Sequence, residues 1–397
     1  MRILVLDTIH GGTEIARFLR EQGHFVDITD VYRGKTGLDP GSASARMYDL
    51  AIAPVHLNPS HPLLQLLDIP VITHHQAVRW ILGARRPSPM VEITGARGKT
   101  TTAFALASVI KIPGILHTSC GTYRYPEQTL LWKSSITPAS LVPAAREAAG
   151  IGGWLIAEES LGLSGSGDLG IITSADDYLF AGGMRHALQE KIRSGQGMSR
   201  LLVAPGIDTP GTLKVEEMIS VDGDRCTYRF EGIAGEFHNR LLLIEGYRTP
   251  LMLAAAAGCL LGYDPRGLSS FQAIEGRMSA AWLGDILIVD NANSGTTGLT
   301  TISAVSYARQ LTGKKTLVLV IGKEPGAVCE GFPAVDVEDT LREVCPSQVI
   351  LVGNSYDHVQ VPEGIQVFRC SSFDEGKAQA TSIAREGSIV LAVKSWR

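Results

Sequence analysis

The chain has 397 residues, of which 45% are hydrophobic and 19% charged, and its formal net charge is −4. This size and composition predict a soluble protein of two or three domains, and the slightly acidic balance gives no support for a nucleic-acid surface. The longest uncharged apolar run, residues 249–263, is too short to cross a bilayer. The start lacks a signal-peptide pattern, and the six scattered cysteines form no Cys-x-x-Cys motif, so we expect reduced thiols and a cytoplasmic location.

The first 86 residues alternate between strand and helix patterns. Strands are predicted at residues 2–6, 25–28, 50–53 and 71–73, and a helix begins at Gly11-Gly12. The Gly-x-Gly-x-x-Gly fingerprint of dinucleotide-binding folds is absent, so we exclude NAD binding. Residues 85–89, with two prolines, predict a linker.

The most informative motif follows that linker. Residues 90–94 predict a strand, and an Ala/Leu-rich helix begins at the end of a glycine-rich turn. The turn and the first helical residues are Gly95, Ala96, Arg97, Gly98, Lys99, Thr100 and Thr101. Amides at a helix N-terminus favour phosphate, Lys99 would reach the β- and γ-phosphates of ATP, and the Thr100 hydroxyl would bind Mg²⁺. The simpler alternative is a glycine-rich turn before an ordinary helix, but spacing, lysine and hydroxyls together favour ATP.

The short spacing Gly-x-x-Gly-Lys-Thr-Thr resembles the loop of the Mur ligase superfamily, which includes peptidoglycan amide ligases and folylpolyglutamate synthetase. The resemblance implies an enzyme that phosphorylates a carboxylate with ATP, after which a nucleophile displaces the phosphate. It also implies a three-domain α/β architecture. The expected parts are a Rossmann-like N-terminal domain (1–86), a central P-loop ATPase domain (87–275) and a Rossmann-like C-terminal domain (276–397).

The same resemblance assigns further residues. A strand pattern ends at Glu158, which matches the family's Mg²⁺-binding glutamate, with the neighbouring Glu159 as the alternative. Asn239 matches the asparagine that contacts the adenine edge, Arg277 an arginine that reaches the γ-phosphate, and Asp290 a ribose ligand. The expected catalytic residues are therefore Lys99, Glu158 and Arg277.

Two positions near the expected metal site need separate mention. Tyr178 follows Asp177 where the family has a histidine that helps to hold a second metal, and tyrosine is a poor Mg²⁺ ligand. Lys191 lies at about the distance of a lysine that is carbamylated in many relatives. The alternative for Lys191 is an ordinary solvated lysine on a helix.

Residues 4–16 and 29–32, with the motif from Asp290 to Thr296, resemble a small branch of the superfamily found in methanogens. That resemblance implies a nickel tetrapyrrole polycarboxylate, a seco-acid, as substrate. One propionate would be phosphorylated, and a carbon of the macrocycle would then displace the phosphate to close a six-membered carbocyclic ring.

Six of the ten histidines lie within the first 75 residues. Several follow predicted strands, where α/β folds bind ligands. The residues expected to contact the tetrapyrrole carboxylates are His10, Gly11, Gly12, His74, His75 and Arg79, with the helix amides after His10 as one anion site. The alternative is that these histidines are surface or core residues without a ligand.

Two other functions compete with ring closure. The first is an ordinary ligase that joins an amine to a carboxylate, and the second is a nucleotide-binding switch or assembly factor. The order of Glu158, Arg277 and Asp290 along the chain argues against the switch. The sequence leaves open the general base for the carbon nucleophile, the number of metal ions and the oligomeric state, for which a homodimer is only a preference.

Overall fold

A computed structural model describes residues 1–32, 36–314, 316–324 and 332–395. They form two compact units, one of residues 1–242 and 249–271 and the other of residues 243–248 and 272–397. The five cysteines in the described ranges form no disulfide, as expected, and Cys329 lies outside those ranges. No helix in the described part of the chain is both long enough and apolar enough to span a bilayer.

The first unit begins with a four-stranded parallel sheet in the order β2-β1-β3-β4. Its elements are β1 (Arg2–Val5), α1 (Gly12–Glu21), β2 (Phe25–Ile28), α2 (Pro40–Ser44), β3 (Leu50–Ala53), α3 (Pro62–Leu66), β4 (Val71–Thr73) and α4 (His74–Leu82). All four strands agree with the predicted positions. Parallel strands of this kind place the residues that follow them along one edge of the sheet.

The central sheet has eight strands in the order β14-β13-β10-β5-β9-β6-β7-β8. Its elements are β5 (Met90–Thr94), α5 (Lys99–Val109), β6 (Gly114–Thr118), β7 (Gly121–Tyr125), β8 (Thr129–Trp132), α6 (Leu141–Gly150), β9 (Trp154–Glu158), β10 (Leu169–Ile172), α7 (Ala187–Gly195), β13 (Leu201–Val203) and β14 (Leu213–Lys214). A short hairpin, β11 (Leu179–Phe180) and β12 (Arg185–His186), lies outside this sheet. Because β5 is central and parallel to both β9 and β10, residues after all three strands meet at one edge.

One hydrophobic core joins the first sheet to the central sheet. It contains Phe18 and Leu19 of α1, Ile81 of α4, Leu141 of α6 and Leu155 of β9, all buried. The amphipathic helices α1 and α4 therefore bury one face against the central part of the chain. This packing fixes the carboxyl edge of the first sheet next to the segment that follows β9.

The remainder of the first unit is a three-stranded antiparallel sheet of β15 (Ile219–Asp222), β16 (Arg225–Phe230) and β17 (Ile233–His238). The long helix α8 spans Glu245–Leu260. An antiparallel sheet here was not predicted, since its strands are short and partly exposed.

The second unit is a six-stranded sheet in the order β18-β19-β23-β20-β21-β22. Its elements are β18 (Ser279–Leu283), β19 (Ile286–Asp290), α9 (Gly298–Thr312), β20 (Leu317–Lys323), α10 (Ala334–Val344), β21 (Gln348–Val352), β22 (Gln366–Cys370), α11 (Phe373–Ile383) and β23 (Gly387–Lys394). Among the strands in the described ranges of this unit, only β18 pairs antiparallel, and the parallel strands carry the apolar runs expected of a sheet buried on both faces. The α/β fold class is confirmed, while the boundaries at residues 86 and 275 stay a prediction.

Candidate active site

The glycine-rich loop between β5 and α5 has the expected geometry. Gly95 and Gly98 adopt φ angles of 153° and 82°, which other residues rarely adopt. A Cβ atom at Gly95 would lie 2.1 Å from Thr173 Oγ1, so only glycine fits there. Gly98 is the N-cap of α5, and no side chain among the described residues caps this helix. Lys99 Nζ donates to Gly95 O at 3.0 Å, which brings an ammonium over the loop. The arrangement suits a phosphate group.

Two hydroxyl residues after β10 hold this loop, and the sequence analysis missed both. Ser174 Oγ accepts from the amides of Ala96 and Arg97 at 3.2 and 3.4 Å. Thr173 Oγ1 donates to Arg97 O and to Thr94 O. The Ala96 and Arg97 amides, predicted to contact the nucleotide, are therefore engaged in fixing the loop. The available signal was two small hydroxyl residues directly after a strand that neighbours β5.

The two predicted metal ligands lie together. Thr100 Oγ1 donates to Glu158 Oε2 at 2.7 Å, and Lys99 Nζ lies 3.7 Å from Glu158 Oε1. Ser119, which directly follows β6 and was not predicted, donates its amide to Glu158 Oε2 at 3.1 Å. Only 2% of Glu158 is exposed. A hydroxyl and a buried carboxylate beside a phosphate loop form a hard-oxygen donor set, which fits Mg²⁺.

Glu159 does not share this site, so Glu158 is the better of the two alternatives. Successive strand residues point to opposite faces of a sheet, and Glu159 meets Glu92 on the other side. Burial and the neighbouring Glu92 carboxyl raise the pKa of Glu159 well above its usual value, which favours its protonated form. Glu92 accepts from the amides of Gly165 and Gly167. This carboxyl pair fixes the loop before β10.

Lys191 on α7 is buried, which excludes the solvated alternative. Only 1% of its surface is exposed, and its Nζ has no hydrogen-bond partner within the described residues. Nζ lies 4.8 Å from the centre of the Tyr178 ring. Burial, assisted by the charge of Lys99, lowers the pKa of Lys191 to about 8 despite the nearby Asp177. An appreciable fraction of this amine is therefore neutral near physiological pH.

The adenine contact of Asn239 stays a prediction, and the structure shows which partners its amide has within the fold. Its Nδ2 donates to Leu268 O at 2.7 Å and to Phe271 O at 3.0 Å, and its Oδ1 accepts from Leu241 N at 2.9 Å. Both amide hydrogens are thus used within the fold. The Oδ1 atom keeps one lone pair that can accept a further hydrogen bond.

The two expected nucleotide contacts from the C-terminal part lie in the second unit. Asp290 ends β19, is 8% exposed and accepts from the Ala292 amide at 2.9 Å. Arg277 is half-buried, and its carbonyl accepts from the Tyr247 hydroxyl. Their predicted contacts with ribose and γ-phosphate stay predictions.

The amides at the start of α1, which were predicted to bind a substrate carboxylate, already bind the carboxylate of a side chain in this chain. The Asp7 carboxylate accepts from the amides of Ile9, His10 and Gly12 at 2.9, 2.8 and 3.0 Å. Sequence reasoning did not weigh Asp7, although an acid at the end of β1 is a common capping signal. A substrate carboxylate would have to displace Asp7 to use the amides of His10 and Gly12.

The predicted histidines do meet in one place. A cavity of about 100 Å³ is lined by His10, Pro54, Val55, His56, His74, His75, Thr137, Pro138, Ser160 and Leu161. His75 Nε2 is bonded to Ser160 O at 3.0 Å. Arg79 is exposed on α4 and does not line the cavity, whereas His56, which was not predicted, does. Because Ser160 and Leu161 follow Glu158 closely in the chain, the cavity lies beside the phosphate-loop edge of the central sheet.

Comparisons with known proteins agree with this geometry. A family model described as Coenzyme F430 synthetase CfbE, C-terminal domain, matches residues 282–395. The coenzyme F(430) synthetase of Methanosarcina acetivorans is 30% identical, over 100% of this chain and 99% of that protein.

Two solved structures share the fold. The bifunctional folylpolyglutamate synthase/dihydrofolate synthase of Yersinia pestis has a TM-score of 0.57 at 14% identity, covering 81% of this chain and 90% of its own. The UDP-N-acetylmuramoylalanyl-D-glutamyl-2,6-diaminopimelate–D-alanyl-D-alanyl ligase of Acinetobacter baumannii has a TM-score of 0.54 at 14% identity, covering 92% and 88%.

The chain has the fold of Mur-type ligases and is an ATP-dependent ligase. The full-length match narrows this class further. The chain belongs to the coenzyme F(430) synthetase family.

Proposed function

We propose that this ligase phosphorylates a propionate carboxylate of a nickel tetrapyrrole seco-acid and closes the carbocyclic ring of coenzyme F(430), releasing ADP and phosphate. The observation that carries the proposal is the full-length match of 30% identity to a coenzyme F(430) synthetase. The cluster of Lys99, Thr100 and Glu158 supports the ATP-dependent step. We further infer a cytoplasmic location, because ATP is the co-substrate and the described cysteines are free.

The first step is transfer of the γ-phosphoryl group to the substrate carboxylate. This creates an acyl phosphate, which has a good leaving group where the carboxylate had none. Lys99 would offset negative charge on the phosphates, and a contact of Arg277 with the γ-phosphate stays a prediction. Thr100 and Glu158 would hold Mg²⁺, which supplies further charge neutralisation when bound. Asp290 would orient the ribose.

Lys191 gives the site a further group. A neutral amine reacts with CO₂ to form a carbamate, and the lowered pKa of about 8 provides that neutral form. We propose that Lys191 is carbamylated in the active enzyme, because its unpartnered Nζ would then become a buried anion close to the Lys99 ammonium. Incubation with ¹³C-labelled bicarbonate should give a carbamate carbon signal that is absent from a Lys191→Met variant.

The second step needs no second substrate. The attacking carbon belongs to the same macrocycle as the acyl phosphate, so proximity can lower the barrier by up to about 7–11 kcal/mol. The competing function is an amide-forming ligase, which would need a separate amine. Ring closure needs only ATP and the seco-acid, whereas amide formation also needs an added amine.

The test uses the seco-acid with ¹⁸O in its carboxyl groups, ATP and no amine. We expect ADP, cyclised product, and phosphate that carries one ¹⁸O atom. Lys99→Ala should abolish all three, whereas Lys111→Ala, which removes an exposed lysine just after α5, should not. A strict requirement for an amine would favour the amide ligase. Unlabelled phosphate during productive turnover would exclude an acyl phosphate altogether.

A further inference from the structure

The first sheet contains a buried carboxylate paired with a histidine. Asp7 follows β1, its side chain is fully buried, and its Oδ1 lies 3.2 Å from His10 Nδ1. Burial alone would raise the pKa of Asp7, but the His10 hydrogen bond and the amides of Ile9 and Gly12 lower it to about 2. Asp7 is therefore ionised at every physiological pH. It can only accept hydrogen bonds.

An ionised Asp7 determines how the His10 ring is used. Nδ1 must carry the proton that is donated to Asp7, so Nε2 carries the lone pair in the neutral ring. The carboxylate also holds the ring in this tautomer. His10 keeps 39% of its side chain exposed, so a ligand can approach it.

The ring of His10 is held by its neighbours in one orientation. It packs edge-on against His56 with ring centres 4.3 Å apart, and edge-on against Tyr32 at 4.9 Å. Two aromatic contacts and one hydrogen bond restrict rotation of the imidazole. A group that takes a proton from one defined atom of a ligand must be held in a fixed orientation, so restricted ring rotation favours such a role.

The other histidines that line the cavity are less suited to take a proton. Burial lowers the pKa of His56 to about 4 and that of His74 to about 3. Their Nε2 atoms are buried without a hydrogen-bond partner in the described part of the chain. His75 uses its Nε2 on Ser160 O. These neutral rings can orient a polar group that enters the cavity, but of the four only His10 combines a bonded carboxylate with exposure.

The cavity is suited to one arm of a large ligand. A volume of about 100 Å³ admits a carboxyalkyl substituent and excludes a whole macrocycle. One wall comes from Ser160 and Leu161, just after the Glu158 that bonds Thr100. A substituent placed here therefore lies on the side of the first sheet that faces the phosphate-loop edge.

We propose that His10, oriented by Asp7, is the general base of ring closure. This inference rests on the proposed cyclising function. As the carbon nucleophile attacks the acyl phosphate, the new C–C bond forms and the C–O bond to phosphate breaks, and its electron pair leaves with the phosphate. The C–H bond at the attacking carbon then breaks, its electrons restore the conjugation of the macrocycle, and the proton moves to His10 Nε2. Phosphate or water later removes that proton.

The test compares His10→Gln with His238→Gln. His238 also pairs with an aspartate, Asp224, at 3.2 Å, but on an exposed surface. Each variant receives ¹⁸O-labelled seco-acid and ATP, and two steps are measured. Label transfer to phosphate and hydroxamate formation with hydroxylamine report the acyl phosphate, and the cyclised product reports ring closure.

We expect His10→Gln to form the acyl phosphate within about threefold of the wild-type rate and to close the ring roughly 10²–10⁴-fold more slowly. ADP should then accumulate without product, and added imidazole should restore part of the ring closure. His238→Gln should match the wild type in both steps. A thermal unfolding curve, together with retained acyl phosphate formation, shows that the variant is folded.

Three outcomes overturn the inference. Ring closure at the wild-type rate in His10→Gln would show that another group takes the proton. An equal fall in both steps, without rescue by imidazole, would show that His10 binds substrate or maintains the fold. If the wild-type enzyme itself gives no labelled phosphate, the proposed function fails, and this result is distinct from either defect of the variant.

Discussion

The buried ammonium of Lys191 leads to a quantitative prediction about stability. The pKa of this group falls from 10.5 to about 8 in the folded protein, with burial as the main cause. Each pKa unit corresponds to 1.36 kcal/mol, so the charged form is disfavoured by about 3 kcal/mol. Solvent screening is small because the side chain is 1% exposed. Replacing Lys191 with methionine, which has a similar length and no charge, should therefore stabilise the protein by about 3 kcal/mol at pH 7.

The pH dependence gives the sign of the effect. Well below pH 8, Lys191 is protonated in both the folded and the unfolded protein, and the whole penalty is present. Between pH 8 and pH 10.5 the folded protein releases this proton first, so the wild-type protein gains stability as the pH rises. The advantage of Lys191→Met should thus shrink over this range and vanish above it.

Urea unfolding of the first unit in CO₂-free buffer is the appropriate assay, because a carbamate would replace the ammonium by an anion. Lys111→Met, at an exposed position just after α5 in the same unit, is the matched control and should change stability by less than about 0.5 kcal/mol. A Lys191→Met variant that is no more stable than the wild type at pH 7 would refute the reasoning. It would mean that the ammonium has a compensating partner.

Three further substitutions test other parts of the site. Thr100→Ala removes the hydroxyl that bonds Glu158 Oε2 at 2.7 Å, so ADP formation should fall on the order of 10²-fold, and an unchanged Mg²⁺ titration would contradict this role. Glu159→Gln should keep the fold, because the raised pKa of Glu159 favours its protonated form, which glutamine resembles. Above pH 4.5 the carboxyl group loses its proton in the unfolded wild type before it does so in the folded protein. The wild type should therefore lose stability in urea relative to the variant as the pH rises. Asn239→Asp removes the donor to Leu268 O and should cost about 2–4 kcal/mol in urea unfolding; weaker ATP binding at full stability would point to a nucleotide contact instead.

The phosphate loop could be predicted from the sequence because its determinants are local. A buried strand, two glycines with positive φ, a lysine and a hydroxyl at a helix N-terminus all lie within residues 90–101. The four strands of the first sheet were predictable for a similar reason, since short apolar runs are enough to specify them. The short edge strand β18 lacks such a pattern, because most of its residues are exposed.

Contacts between distant residues could not be predicted in this way. Thr100 and Glu158 are 58 residues apart, and Ser174 reaches the Ala96 amide from a distance of 78 residues. A sequence motif shows which groups a site needs but not which hydroxyl or amide from another strand will support them. Asn239 illustrates the reverse case, because the motif that suggested an adenine contact does not show that its amide holds Leu268 and Phe271.

The sequence by itself therefore determined the class of chemistry: a loop for ATP, an acid for a metal, and the order of these residues along an α/β chain. Tertiary structure alone decided the state of each group. Burial made Lys191 a weaker base and raised the pKa of Glu159, and packing placed His10 in one cavity with Ser160. The reason is physical: residue types and their local spacing set what a group can do, whereas its charge and its partners depend on which distant segments exclude water from it.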